Sequence, residues 1–346
     1  MSDALRIAIN GYGRIGRCVL RALFESSYRQ NMQIVAINEP ADLDAMVHLT
    51  RFDSTHGPFP GTVETQGDAM VINGQRIAIN HALAPEGVPW DDLGLDVLLE
   101  CSGHYSTRPQ LERFVTAGCP RVLVSHPAQG ADDVDHTVVY GINENGLGSH
   151  QKIVSAASCT TNASVPVLDI LERHLGVHSV MLSTLHSVMN DQPMIDGYHH
   201  TDLRRTRSAM QSIIPVATGL AAGVERLLPH LAGRIQAKAI RVPIHNVSAI
   251  DLVAHLKQHT TARALNALFE EAAHVQPDLF ACTRQPHASV DFVHDPHSVI
   301  IDLGQTSVNQ GHFANLLLWF DNEWGFARRM LDVASAWARC FKAGPS

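Results

Sequence analysis

The chain has 346 residues, of which 45% are hydrophobic and 17% are charged, and its formal net charge is −8 at pH 7. This length and composition are typical of a globular protein with one large domain or two ordinary ones. The negative charge argues against broad binding to nucleic acid or to an anionic membrane, although a few arginines can still form a pocket for a small anion.

No apolar run reaches the roughly 20 residues that span a bilayer, and the first residues, MSDALRIAING, lack the features of a signal peptide. We therefore expect a cytoplasmic protein. The six cysteines include no Cys-x-x-Cys pair, so free thiols are expected rather than disulfides. The 21 histidines include the pairs His199–His200 and His294–His297. Neither pair has a Cys or Glu at ligand spacing, so we expect no metal site.

The first 160 residues alternate short apolar runs with helical stretches such as 14–27 and 107–118. Most runs are continuously apolar, as expected for parallel strands buried on both faces. This βαβ pattern predicts a doubly wound, Rossmann-type α/β sheet. In 68–80, two apolar runs instead flank Asn73-Gly74, a strong hairpin signal. The predicted strands are 5–10, 34–39, 97–101, 121–125, 137–142 and 152–157.

After residue 160 the pattern changes to a helix at 163–175 followed by long strands, which suit an α+β domain with a large, mostly antiparallel sheet. An amphipathic helix at about 325–341 follows them. We predict two domains, 1–158 and 159–324, with the C-terminal helix, about 325–346, packing back towards the first. The predicted long strands are 178–186, 235–256, 298–308 and 312–320.

The segment Asn10-Gly11-Tyr12-Gly13-Arg14-Ile15-Gly16 lies between the first predicted strand and the first predicted helix. Gly11 would allow a tight turn, Gly13 the approach of a pyrophosphate and Gly16 close helix–strand packing, while the helix amides hold the phosphates. Glycines at this spacing also occur in ordinary βα turns, but here the context fits on both sides. Glu39, at the end of the second predicted strand, is expected to bind the adenosine ribose and to repel a 2′-phosphate, which favours NAD over NADP. The alternative is a solvated Glu.

A candidate nucleophile lies in Ser158-Cys159-Thr160-Thr161-Asn162, between a predicted strand and a predicted helix. A thiol at a helix N-terminus is expected to have a lowered pKa and to act as a nucleophile, although a buried packing cysteine is the alternative. His186, at the end of the strand 178–186, is the candidate base. A thiolate, a base and a dinucleotide together can oxidise an aldehyde to a thioester, which an acceptor then cleaves.

Basic residues cluster in 199–215, which contains Arg204, Arg205 and Arg207. These arginines either bind an anion or belong to a solvated or subunit-facing loop. Arg241 is different because it lies inside an apolar stretch, where a charge is costly unless it is paired or bound to an anion. Bidentate recognition of phosphate is a common use of such an arginine.

Over essentially its whole length, the sequence resembles the glyceraldehyde-3-phosphate dehydrogenase superfamily. The resemblance rests on INGYGRIGR, DSTHG (53–57), SAASCTTN (155–162), RRTR…IIP (204–215), RVP (241–243) and WFDNEWGFA (319–327). It implies that Cys159 is the nucleophile, that His186 is the base and oxyanion stabiliser, and that Asn322 holds the nicotinamide carboxamide. It also implies a homotetramer with the loop 187–211 near a neighbouring subunit's cofactor.

The resemblance further assigns the binding sites. The NAD site would comprise Gly11, Tyr12, Gly13, Arg14, Ile15, Gly16, Glu39, Ser125 and Asn322. The anion sites for a small phosphorylated aldehyde would comprise Ser158, Thr160, Arg205, Thr218, Gly219 and Arg241.

Within the superfamily, the chain is more similar to the D-erythrose-4-phosphate dehydrogenases, through Ser125-His126-Pro127, HSVMNDQ at 186–192 and YHHTDLRRTRSAMQSIIPV. The glycolytic enzymes usually carry Thr where this chain has Met189, which cannot donate a hydrogen bond to phosphate. The implied reaction is oxidation of D-erythrose 4-phosphate to 4-phosphoerythronate, with water cleaving the thioester, which feeds pyridoxal 5′-phosphate synthesis. The alternative is the phosphorylating glycolytic enzyme. A catalytically silent relative is disfavoured by the intact Cys159–His186 pair.

Overall fold

The computed structural model describes residues 4–199 and 201–342, so His200 of the His199–His200 pair lies outside the described residues. The chain divides into two compact units. Unit 1 comprises Met1–Ser158 and Ala327–Ser346, and unit 2 comprises Cys159–Phe326. Among the described residues, no helix combines the length and the apolar character that crossing a membrane requires.

Unit 1 contains a nine-stranded sheet. Its strands and those of a small separate pair are β1 (Leu5–Asn10), β2 (Met32–Asn38), β3 (Phe52–Asp53), β4 (Gly57–Pro58), β5 (Val63–Gln66), β6 (Ala69–Ile72), β7 (Gln75–Asn80), β8 (Val97–Glu100), β9 (Val122–Val124), β10 (His136–Thr137) and β11 (Ile153–Ser155). Its first three helices are α1 (Arg14–Phe24), α2 (Leu43–Arg51) and α3 (Arg108–Thr116).

The order of this sheet is β10-β11-β9-β8-β1-β2-β7-β6-β5, and all pairs from β10 to β7 are parallel. The consecutive residues Ile7, Ala8 and Ile9 of the central strand are fully buried, as the continuous apolar pattern predicts. The predicted Rossmann-type sheet is therefore confirmed. The predicted hairpin is also present, because β6 and β7 are antiparallel and Asn73 and Gly74 both have positive φ, at 49° and 82°.

The predicted strand at 137–142 is wrong beyond its first residue. Only His136–Thr137 pairs with β11. The side chain of Asn143 donates to the carbonyl of Thr137 at 2.8 Å and accepts from the amide of Val139 at 2.8 Å. These local bonds, together with a φ of +86° at Gly141, turn the chain away from the sheet.

Unit 2 contains a seven-stranded mixed sheet. Its strands are β12 (Val177–His186), β13 (Ile214–Val216), β14 (Ile235–Arg241), β15 (Ser248–Leu256), β16 (Phe280–Thr283), β17 (Val299–Asn309) and β18 (Phe313–Phe320). Its helices are α4 (Cys159–Leu175), α5 (Leu220–Leu227) and α6 (Ala262–Val275), and α7 (Trp324–Lys342) begins in it. The order is β13-β14-β12-β15-β18-β17-β16. Only the β12–β14 and β16–β17 pairs are parallel, so the sheet is mostly antiparallel, as predicted.

The predicted single strand at 235–256 is wrong, because the structure contains two strands separated by 242–247. Pro243 has no N–H with which to continue a ladder. The amide of Ile244 bonds to Val242 and its carbonyl accepts from the amide of Val188, so this segment is a loop. Arg241 is consequently the last residue of a strand rather than the middle of one.

Helix α7 packs with its last four turns inside unit 1. Trp337 is fully buried and its indole N–H donates to the carbonyl of Gly148 at 3.1 Å. The guanidinium of Arg121 lies 3.6 Å from the ring centroid of Phe341, and the ammonium of Lys342 lies 2.9 Å from Asp96. The C-terminal part of the chain therefore belongs to the core of unit 1.

Candidate active site

The nucleophile candidate, Cys159, is the first residue of α4. Two residues earlier, Ala157 has a φ of +59°, a left-handed conformation that residues with a Cβ seldom adopt. The hydroxyl of Ser155 accepts from the amide of Ala157 at 3.1 Å and donates to the carbonyl of His126 at 2.8 Å. This turn allows the chain to pass directly from β11 into a helix that begins at the thiol.

Cys159 and His186 are in contact. The Sγ of Cys159 lies 3.6 Å from Nε2 of His186. His186 is the last residue of β12 and is only 7% exposed. The predicted pair is therefore assembled within unit 2, at a distance that permits proton transfer once a substrate is bound.

The expected lowering of the Cys159 pKa is wrong. Burial raises the pKa of Cys159 to about 11, and the amide of Thr160 and the charge of Arg241 only partly oppose it. Burial also lowers the pKa of His186 to about 4, helped by the same arginine. Desolvation thus outweighs the helix N-terminus, and the resting pair at neutral pH is a thiol and an uncharged imidazole.

Arg241 lies beside the pair because of strand register. It ends β14, which is parallel to β12, and Arg241 is the direct partner of His186. Its Nη1 lies 2.5 Å from Nδ1 of His186 and donates to the carbonyl of Ser187 at 3.3 Å. Within 4–199 and 201–342, Nε and Nη2 of Arg241 make no hydrogen bond or ion pair. Two donors of this half-buried guanidinium are therefore available to an anion.

The imidazole of His186 has a choice of partner at Nδ1. The carbonyl of Ser187 lies 2.8 Å away and can only accept, whereas Arg241 can only donate. When the proton is on Nδ1, it is donated to the carbonyl of Ser187, and Nε2 is free to act as a base. When the proton is on Nε2, Nδ1 can accept a hydrogen bond from Arg241. The surroundings thus support both a proton acceptor and a proton donor at Nε2.

The second predicted anion ligand, Arg205, is occupied by carboxylates. Its Nη1 lies 2.8 Å from Asp191 and its Nε lies 3.6 Å from Asp202. Thr218 and Gly219 precede α5, and the hydroxyl of Thr218 accepts from the amide of Leu220 at 3.1 Å.

Thr160 lies in the first turn of α4, whereas Ser158 is the last residue of unit 1 before that helix. The backbone amide of Thr160 and the charge of Arg241 both act on the thiol of Cys159 and favour its ionised form.

In unit 1, the three glycines of the predicted dinucleotide loop differ in their surroundings. Gly11 has a φ of +87°, and a Cβ there would lie 2.5 Å from the backbone of Ser102. A Cβ on Gly16 would lie 2.2 Å from the carbonyl oxygen of Gly11. Gly13 has a negative φ, and a Cβ there would have no neighbour within 4 Å. Protein packing explains the first two glycines, and the open space at Gly13 fits the approach of a pyrophosphate.

The residues around this loop are arranged as a dinucleotide site requires. α1 begins at Arg14, and the first intrahelical bond runs from Arg17 to Gly13, so the amides of Ile15 and Gly16 face the N-terminal end of the helix. The carboxylate of Glu39 accepts from the amide of Tyr12 at 2.6 Å. Ser125 directly follows β9, and its amide donates to the carbonyl of Glu100 at 3.0 Å.

A buried polar network behind this loop was not predicted. Asn38 donates to Asn10 at 2.8 Å, and Asn10 donates to the carboxylate of Glu100 at 2.5 Å. Glu100 also accepts from the amide of Ser102 at 2.8 Å, and burial raises its pKa to about 7. The network joins the ends of β1, β2 and β8. The signal in the sequence is a polar residue at the end of each of three apolar strands.

A second unpredicted group surrounds Asn322. Its Oδ1 accepts from the hydroxyl of Ser187 at 3.1 Å and from that of Ser248 at 2.7 Å. The hydroxyl of Ser248 also accepts from the amide of Ser187 at 3.1 Å. Both serines are fully buried. Isolated serines carry no local signal that would have selected them from the sequence.

Comparison with known families gives two matches. Residues 5–108 match the family described as glyceraldehyde 3-phosphate dehydrogenase, NAD binding domain. Residues 158–322 match the family described as glyceraldehyde 3-phosphate dehydrogenase, C-terminal domain. Together, the matches cover the glycine loop of unit 1 and the Cys159–His186 pair of unit 2.

Proposed function

Because the chain belongs to the glyceraldehyde 3-phosphate dehydrogenase superfamily, whose members use NAD to oxidise a phosphorylated aldehyde, we propose that its substrate is D-erythrose 4-phosphate. The product is 4-phosphoerythronate, formed through a thioester on Cys159 that water hydrolyses. The observation that carries the chemistry is the 3.6 Å contact between Cys159 and His186 beside the free donors of Arg241.

The proposed reaction begins when Nε2 of His186 takes the proton of Cys159 as the sulfur attacks the aldehyde carbon. The new C–S bond converts the carbonyl oxygen to an oxyanion, which the imidazolium protonates. His186 then removes this hydroxyl proton while the C–O double bond of the thioester forms. NAD, when bound, supplies the acceptor for the hydride that leaves the carbon. His186 releases the hydroxyl proton to solvent. Its Nε2 then takes a proton from the water that attacks the thioester carbon and passes it to the sulfur as the C–S bond breaks, which releases the acid and the thiol.

The choice of water over inorganic phosphate is supported by the charges near the site. Phosphorolysis needs binding sites for two anions, the substrate phosphate and the attacking phosphate, whereas hydrolysis needs one. Arg241 has N–H groups that can donate to an anion, whereas the guanidinium of Arg205 is already paired with Asp191 and Asp202. Met189 supplies no hydroxyl. One well-charged anion site therefore favours a hydrolytic enzyme.

The remaining parts of the proposal follow from the resemblance. NAD is held by the glycine loop with Glu39 and Ser125, and Asn322 donates to the nicotinamide carboxamide. By the same resemblance, Ser158, Thr160, Arg205, Thr218, Gly219 and Arg241 line the anion sites, although Arg205 is paired with Asp191 and Asp202 in the present structure. The enzyme is a cytoplasmic homotetramer that supplies pyridoxal 5′-phosphate synthesis and binds neither nucleic acid nor membrane.

The test follows NADH formation with both D-erythrose 4-phosphate and glyceraldehyde 3-phosphate, with and without inorganic phosphate. We expect a higher kcat/KM for D-erythrose 4-phosphate and no requirement for phosphate. Asp191→Asn should release Arg205 and make phosphate stimulate turnover, whereas Met189→Leu, which adds no donor, should not. Strong phosphate stimulation of the wild type, with glyceraldehyde 3-phosphate as the better substrate, would identify the glycolytic reaction instead.

A further inference from the structure

The ends of three neighbouring strands bring Ser187, Ser248 and Asn322 together. Ser187 follows β12, Ser248 begins β15, and Asn322 lies two residues after β18. β15 pairs with both of the other strands, so these three positions lie at one edge of the sheet of unit 2. Ser187 and Ser248 are fully buried, and Asn322 is 8% exposed.

The hydrogen-bond pattern fixes which way the amide of Asn322 points. Each serine hydroxyl has one proton, and each donates it to Oδ1 of Asn322. Within 4–199 and 201–342, neither hydroxyl bonds to another acceptor. If the amide were turned over, both buried hydroxyl protons would lose their acceptor, which is costly. Oδ1 is therefore directed towards the serines, and Nδ2 is directed away from them.

The amide nitrogen left by this arrangement is an unused donor. In the described part of the chain, Nδ2 of Asn322 makes no hydrogen bond, although the side chain is more than nine-tenths buried. It belongs to the same network as the reacting groups, because the carbonyl of Ser187 lies 2.8 Å from His186 and 3.3 Å from Arg241. Nδ2 itself keeps some contact with solvent, so this fixed, unpaired amide donor is available to an acceptor on a ligand.

We propose that Ser187 and Ser248 are positioning residues that lock the Asn322 amide so that Nδ2 donates to the carbonyl oxygen of the nicotinamide carboxamide. The proposal rests on the proposed role of Asn322 in NAD binding. A locked donor holds the carboxamide in one rotation and so presents one face of the nicotinamide ring to the substrate. Ser187 contacts both the base His186, through its carbonyl, and the Asn322 amide, through its hydroxyl. A single residue therefore positions the base relative to the group that holds the nicotinamide.

The test compares the dissociation constants of NAD⁺ and ADP-ribose for the full chain, by calorimetric titration. ADP-ribose has the adenosine, the pyrophosphate and the second ribose but lacks nicotinamide. Ser187→Ala removes one hydroxyl and keeps the carbonyl that faces His186. This substitution should raise the dissociation constant of NAD⁺ about 3- to 10-fold, the usual range for one lost hydrogen bond. The dissociation constant of ADP-ribose should stay unchanged. Ser248→Ala should act in the same direction.

Two further proteins show whether the serine acts through the asparagine. Asn322→Ala should weaken NAD⁺, and adding Ser187→Ala to it should have no further effect. Ser183→Ala is the matched control, because Ser183 lies on the same strand and makes no side-chain hydrogen bond to any described residue. It should bind both ligands like the wild type.

The outcomes separate the two proposals. Wild-type NAD⁺ affinity in Asn322→Ala would refute the role of Asn322 itself, and the inference with it. If Asn322→Ala bound NAD⁺ more weakly but Ser187→Ala bound it like the wild type, only the inference would be overturned. Equal weakening of NAD⁺ and ADP-ribose in Ser187→Ala, or an undiminished effect of Ser187→Ala in the Asn322→Ala background, would also overturn it.

Discussion

Replacing Glu39 with Gln should weaken the preference for NAD over NADP. Glu39 follows β2, and its carboxylate is fixed by the amide of Tyr12 at 2.6 Å and by the amide of Ala41 at 3.3 Å. A glutamine side chain retains an oxygen that can accept from Tyr12. Glu39→Gln therefore removes the charge with little change in position, which makes it a sharper test than truncation to alanine.

The size of the effect follows from Coulomb's law. Two unit charges 4 Å apart repel by about 1 kcal/mol in water and about 4 kcal/mol at an effective dielectric constant of about 20. Glu39 is half-buried, so solvent screens it, while a 2′-phosphate carries nearly two charges. We expect a penalty of about 2–3 kcal/mol, which corresponds to a factor of about 30 to 160 in the preference for NAD.

The assay is steady-state kcat/KM with each cofactor at fixed aldehyde concentration. The wild type should prefer NAD by at least this factor, and Glu39→Gln should lower the ratio of the two kcat/KM values by about 30- to 160-fold. Added salt should reduce the difference in cofactor preference between the wild type and Glu39→Gln, because it screens the repulsion between Glu39 and the 2′-phosphate. Glu64→Gln, on the exposed face of the edge strand β5, is the matched control. An unchanged ratio in Glu39→Gln would refute the placement of this carboxylate beside the ribose.

Three further predictions concern the reacting pair. Cys159→Ala should abolish aldehyde oxidation and leave the dissociation constant of NAD unchanged, and retained turnover would exclude a covalent route. His186→Asn should lower kcat by about 10²- to 10⁴-fold, the range for loss of a general base, and a smaller loss would exclude His186 from proton transfer. Because burial raises the pKa of Cys159 to about 11, the thiolate fraction should grow about tenfold per pH unit below that value. Its alkylation by iodoacetamide, measured on the isolated peptide, should rise accordingly between pH 7 and pH 9, and a plateau near neutral pH would contradict the pKa shift.

Local patterns were enough to predict most of the fold. The Asn73-Gly74 turn, the continuous apolar strands and the glycine loop all depend on residues close in sequence, and each is present in the structure. The error at 235–256 arose because apolar residues continue on both sides of the loop. Pro243 was the available signal, since a proline is rarely tolerated inside a central strand.

The site was less predictable, because its electrostatics depend on distant residues. The helix N-terminus at Cys159 can be read from the sequence, but the desolvation that raises its pKa cannot. Ser187 and Ser248 meet Asn322 across 135 and 74 positions. The pairing of Arg205 with Asp191 likewise depends on how the loop between them folds.

Helix α7 has a consequence for the order in which the chain matures. Residues after Ala327 belong to unit 1, where Trp337 is fully buried and bonded to Gly148. A ribosome synthesises these residues only after all of unit 2. The N-terminal part of a nascent chain therefore lacks a piece of its own core until unit 2 has been synthesised, which reverses the usual sequence in which the first domain folds first.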